Sequence, residues 1–147
     1  MEAENRVLLV EDGAPLRRSL EKFLGWAGYA YDSCSTAREA LKLIEEFRHG
    51  IVIVEYHLPD ADGTALLEKL KWIVPDAVAI VLAEYDFRVV ASELVRVNVR
   101  SFLQKPFDLV ELESALSRAR GKAEVAVEHM EWKRESGLQG VPAFISK

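Results

Sequence analysis

Gly50-Ile51-Val52-Ile53-Val54-Glu55-Tyr56-His57-Leu58-Pro59-Asp60-Ala61-Asp62-Gly63 is the stretch that decides the fold. Four β-branched residues, Ile51 to Val54, run without a polar interruption. A short continuous apolar run of this kind suits a strand buried on both faces of a parallel sheet. The run ends on a carboxylate, Glu55, and Leu58-Pro59 and Asp62-Gly63 then mark a loop. In an open α/β sheet, ligands bind at the carboxyl ends of the strands. Glu55 therefore stands either where such a domain places its chemistry or as a solvated carboxylate at a strand end.

Upstream, Arg6-Val7-Leu8-Leu9-Val10 reads as a first strand and also ends on carboxylates, Glu11 and Asp12. Gly13-Ala14-Pro15 follows, with proline suited to the first turn of a helix. Leu16, Leu20, Phe23, Leu24 and Ala27 repeat at helical spacing, and Gly28 closes that helix. Tyr29 to Cys34 is a brief second strand. Thr36-Ala37-Arg38-Glu39 has the capping-box pattern, and Ala40, Leu41, Ile44 and Phe47 give the next helix its apolar face up to His49-Gly50.

Downstream, Leu66, Leu67, Leu70 and Ile73 mark a third helix, stopped at Pro75. Ala77 to Leu82 is a fourth strand, and Asp86 is placed to cap a fourth helix carrying Val89, Val90, Leu94 and Val95. Ser101-Phe102-Leu103-Gln104 is a fifth strand, followed by Lys105-Pro106-Phe107. Asp108-Leu109-Val110-Glu111 opens a fifth helix. Its apolar positions Leu109, Leu112, Leu116, Ala119, Ala123, Ala126 and Met130 alternate three and four apart, an a/d stripe that predicts an extended helix. Past about Arg120 the domain runs out of surface, which leaves a dimeric coiled coil, a docking helix or a loosely held tail. Ser136 to Lys147, with Gly137, Gly140 and Pro142, reads as a turn or mobile end.

Strands alternating with helices imply right-handed crossovers and a parallel sheet covered on both faces. The expectation is an α/β, flavodoxin-like (βα)5 doubly wound sheet in strand order 2-1-3-4-5, over residues 6–120, with a helical extension and flexible tail over 121–147. A chain of 147 residues is long enough for one real core. The net charge of −5 gives no basic field, which argues against direct nucleic-acid contact. No apolar run approaches a membrane span, the acidic Met1-Glu2-Ala3-Glu4-Asn5 has no signal-peptide pattern, and the lone Cys34 forms no internal disulfide. A cytoplasmic protein is expected, with Cys34 as packing.

In the 2-1-3-4-5 order, strands one and three are neighbours, so Glu11, Asp12 and Glu55 converge. At an effective dielectric of about 20, two such charges about 4 Å apart repel by about 4 kcal/mol. The cluster calls for a cation or a proton. Carboxylates with a backbone carbonyl and retained waters describe a Mg²⁺ site, and Lys105 is placed to neutralise part of the charge.

At this point the chain resembles the receiver domains of bacterial two-component response regulators, from Arg6 to about Arg120. Glu11-Asp12 resembles the family's metal-binding acidic pair. Pro59 and Gly63 lie four and eight residues after Glu55, the family's spacing after its phosphoacceptor. Lys105-Pro106-Phe107 resembles the family's lysine motif, with its usually cis Lys–Pro bond, and Phe102 falls at the switch aromatic. The resemblance implies that His57 lends its backbone carbonyl to the metal.

Two departures matter more than the matches. The family's phosphoacceptor is an aspartate, and here it is Glu55; the family's Thr or Ser after strand four is here Leu82. The extra methylene of glutamate moves a nucleophile by roughly 1.5 Å, in a setting where misplacement of about 1 Å costs on the order of 100-fold. Leu82 removes a hydroxyl from beside a phosphoryl group, a loss of about 1.5–3 kcal/mol next to charge. The expectation is an atypical receiver with Glu55 as a standing charge, Mg²⁺ binding weak or absent, and no enzymatic turnover. It would act on a protein partner or as a homodimer through helix four, strand five and helix five. The alternative is a working phosphoacceptor that takes phosphate from a sensor histidine kinase with Mg²⁺. A flavodoxin-like cofactor binder is set aside, because acidic Glu11-Asp12 would repel phosphate. Trp26 and Trp72 are expected to contact the core, Tyr56 to pack in its loop, and His49 and His129 to be solvated, while Trp132 calls for a partner surface.

Overall fold

The structure is a computed structural model, and it describes residues 6–94, 97, 99–121 and 144–145. Its centre is a five-stranded parallel sheet in the order β2-β1-β3-β4-β5. The strands are β1 (Val7–Val10), β2 (Tyr31–Cys34), β3 (Ile51–Glu55), β4 (Val78–Ala83) and β5 (Val99–Gln104). β1, β3 and β4 are buried at every residue, which is why they read as unbroken apolar runs rather than alternating ones.

Among the described residues, five helices cover the sheet: α1 (Ala14–Trp26), α2 (Ala37–Phe47), α3 (Gly63–Ile73), α4 (Phe87–Leu94) and α5 (Leu109–Ala119). Alternate strand residues feed two cores. Val7, Leu9, Ile51, Ile53, Ile80 and Leu82 pack with α1 and α5. Leu8, Val10, Val52, Val54, Ala79 and Val81 pack with α2, α3 and α4. Thr36 caps α2 by accepting from the Glu39 N–H, and Asp108 and Glu111 complete a reciprocal capping box on α5. The Lys105–Pro106 bond is cis. Phe107–Asp108 (β6) pairs antiparallel with Phe144–Ile145 (β7).

Several expectations are corrected. α5 stops at Ala119, and Gly121 takes φ +81, which a continuing right-handed helix cannot hold. The stripe positions Ala123, Ala126 and Met130, with His129 and Trp132, lie outside the described residues, as does Val95. Trp26 and Trp72 do not reach the core; they are 83% and 86% exposed. Each lies two residues past the last buried position of its helix, Leu24 and Leu70, and therefore on the far side. His49 is not solvated but fully buried, because Arg48 closes α2 at φ +53 and turns the chain inward under the sheet. Its Nε2–H donates to Asp32 at 2.7 Å, and Arg6 holds the same carboxylate through Nε and Nη2 at 2.8 and 3.1 Å. No helix among the described residues is long and apolar enough to cross a membrane.

Candidate functional site

Glu11, Glu55 and Leu82 share the register side of the inward α1/α5 residues, two beyond Leu9, two beyond Ile53 and two beyond Ile80. Lys105, two beyond Leu103, arrives on the same side. The two outer strands of this group therefore meet over the ends of the inner ones. Lys105 Nζ lies 3.2 and 3.4 Å from the two Glu11 oxygens and makes a still closer ion pair with Glu55. All three side chains are nearly sealed from solvent.

The remaining carboxylate valences are met by backbone. Glu11 Oε2 accepts from Gly13 N–H at 2.9 Å, and Glu55 Oε2 accepts from His57 N–H at 2.9 Å. Arg17 Nη1 holds the Glu11 carbonyl at 2.9 Å, a contact with no sequence signal beyond a basic residue in the first turn of α1. Burial pushes the Glu11 carboxyl above its ordinary value, against the Gly13 N–H and the Lys105 charge. For Lys105, burial opposes the charged form most strongly, but its bonds to Glu55 and Glu11 outweigh it and hold the ammonium above its ordinary value.

Asp12 stands exposed beside this pair. Oxygens of Glu11, Asp12 and Glu55 all lie within 4.8 Å of one another. They open into a cleft of about 310 Å³ with Glu84 and Tyr85 on its rim. The His57 imidazole points to solvent near Asp62 and contributes only its backbone here. Leu82 pairs with Glu55 in register and is fully buried, so no side-chain hydroxyl stands at that position next to Glu55. Phe102 is not in the cleft. It packs half-buried on the opposite side of the sheet, edge-on to Phe87 at 5.3 Å. Gly63 explains its spacing from Glu55: a Cβ there would lie 2.9 Å from the Glu55 carbonyl, so only glycine lets α3 start against the strand end. Burial pushes the Cys34 thiol up to about 12, so it is no nucleophile at neutral pH.

Residues 7–117 match the response regulator receiver domain family. The chain belongs to that family. This receiver domain is 29% identical over 144 residues to the C4-dicarboxylate transport transcriptional regulatory protein DctD of Rhizobium meliloti, covering 97% of this chain and 31% of that protein. The chain spans half or less of the length of several curated relatives that it matches. Its fold is similar to a CheY-like receiver domain protein of Methanospirillum hungatei, at TM-score 0.76 and 25% identity over 82% of this chain and 97% of that one. It is also similar to the response regulator protein TrrA of Thermotoga maritima in complex with Mg²⁺–BeF, at TM-score 0.70 and 25% identity over 78% and 98% of the two chains.

Proposed function

We propose that this receiver domain is an atypical one, which signals by binding a protein partner rather than by the usual phosphorylation switch. The observation that carries this reading is the Lys105 ammonium lying between buried Glu11 and Glu55. Glu55 pairs directly with Lys105, so the carboxylate that would attack a phosphoryl group is already engaged. Leu82 adds to this: a phosphoryl oxygen beside it would face buried hydrocarbon instead of a hydroxyl.

The donor set fits a hard divalent cation. Glu11, Asp12 and Glu55, with the His57 backbone carbonyl, would hold Mg²⁺. Bound there, the ion would supply the positive charge that phosphoryl transfer needs. Lys105 competes for two of the three carboxylates, so binding is weak. The partner surface is α4, β5 and α5, where Phe87 and Val89 are exposed apolar groups. A homodimer through that surface belongs to the same proposal, as does a cytoplasmic location. The acidic chain makes no direct nucleic-acid contact.

The clustering of three carboxylates favours one second reading, a working phosphoacceptor served by a histidine kinase. In that chemistry a Glu55 oxygen attacks the donor phosphorus, an acyl phosphate forms and the donor leaves with its electron pair. Intact-mass measurement after incubation with Mg²⁺ and acetyl phosphate separates the two. The expected result is no gain of phosphate by the natural chain, and a gain by the double variant Glu55→Asp, Leu82→Thr. A phosphate on the natural chain that vanishes in Glu55→Gln overturns the atypical reading.

A further inference from the structure

Tyr56 follows Glu55, and strand alternation sends their side chains to opposite sides of the sheet. Glu55 meets Lys105 on the α1/α5 side. Tyr56 is buried in the other core, its ring edge-on to Tyr85 at 6.4 Å and 87°. Its hydroxyl donates to the Glu93 carboxylate on α4. The Tyr56 backbone is fixed at both polar groups: its N–H donates to the Leu82 carbonyl at 2.8 Å, and its carbonyl accepts from Gly63 N–H at 2.7 Å. A side chain anchored in this way moves with the strand end that carries Glu55.

α4 is short and buries only Val90 and Leu94 among its residues, so little apolar area fixes its position. The last two residues of β4, Leu82 and Ala83, offer α4 no side-chain hydroxyl, and Phe102 meets Phe87 through a ring contact. The one polar bond that runs from the residue beside Glu55 to α4, among the described residues, is that of Tyr56 to Glu93. A phenol donating to a carboxylate is a charge-assisted bond, stronger than a neutral one.

We infer that Tyr56 couples the acidic cleft to α4, with its bond to Glu93 as the link. A rearrangement at Glu55, from loss of the Lys105 contact or from a cation, shifts the Tyr56 ring, and Glu93 carries the shift to the helix. The link works whether or not Glu55 accepts phosphate, so its test is independent of the mass measurement above.

Hydrogen exchange of the full chain, read by peptide mass, tests it with Tyr56→Phe, Glu55→Gln and the double variant. Tyr56→Phe is expected to speed exchange in α4 by about tenfold and leave α2 unchanged. Glu55→Gln is expected to alter α4 exchange in the natural background and not in the Tyr56→Phe background. Glu93→Gln, which keeps an acceptor, is expected to fall between the natural chain and Tyr56→Phe. Natural α4 exchange in Tyr56→Phe overturns the inference. So does a Glu55→Gln effect that is absent in the natural background or undiminished without the phenol. Should Tyr56→Phe fail to fold, Glu93→Ala makes the same comparison from the exposed partner.

Discussion

At the carboxyl end of the sheet, Lys105 lies between buried Glu11 and Glu55, with Asp12 in solvent close by; at the amino end, Asp32 lies between Arg6 and buried His49. Both clusters gather charged side chains from separate strands. Their balance differs. The amino-end cluster closes on itself: one guanidinium grips one carboxylate through two bonds, and a neutral imidazole donates a third. The Arg6 bonds hold the Asp32 carboxyl below its ordinary value. Burial holds His49 below its own, against the pull of Asp32. Among the described residues, the carboxyl-end cluster has three carboxylates to one ammonium and keeps a negative surplus. A cluster balanced within itself is a fastening, while one left with surplus charge in a cleft is poised to respond to a cation or a proton.

The sharpest way to break this comparison is Lys105→Met. It leaves two buried carboxylates with no counter-ion, and a loss of about 3–5 kcal/mol in urea unfolding at neutral pH is expected. The gap to the natural chain should narrow on acidification, since protonated Glu11 has no charge to bury. A Lys105→Met chain as stable as the natural one at neutral pH would mean the cleft is wetter than its burial implies.

Asp32→Asn tests the other end, with an expected cost of about 1–3 kcal/mol from weakened bonds to Arg6 and His49. A loss as large as that of Lys105→Met would erase the distinction. The natural chain's pH dependence comes next. His49 has a folded value below its unfolded one of about 6.5, so protonation favours the unfolded chain. Its contribution is complete above about pH 6.5 and is lost as pH falls through the folded value. Asp32 acts in the same direction at lower pH, and Glu11, raised by burial, acts in the opposite one. Between about pH 7 and 5 the natural chain should therefore lose more urea stability than His49→Gln, which lacks the His49 contribution but keeps those of Glu11 and Asp32. The smallest effects belong to Trp26→Ser and Trp72→Ser. With both rings almost fully in solvent, each should change stability by no more than about 0.5 kcal/mol.

Much of this was legible beforehand. The apolar runs at Val7, Ile51 and Val78 announce buried parallel strands, and helical stripes between them announce the crossovers. Asp108 with Glu111 announces the start of α5. The exposure of Trp26 and Trp72 was also available, from their offset of two from the buried stripe, but aromatic size is easily mistaken for a demand to be buried. The burial of His49 was not available, because nothing local says that a loop residue will meet Asp32 across a neighbouring strand.

By itself the sequence determined the order of elements, the strand ends that carry carboxylates, and the two departures at Glu55 and Leu82, because periodicity and residue chemistry are properties of the chain. Only the tertiary structure decided which charges pair. Lys105 reaches Glu11 across 94 residues and Tyr56 reaches Glu93 across 37, and such contacts depend on strand order, register and side-chain reach together. A shift of one residue in strand register would turn Glu11, Tyr56 or Lys105 toward the opposite face of the sheet and away from its partner.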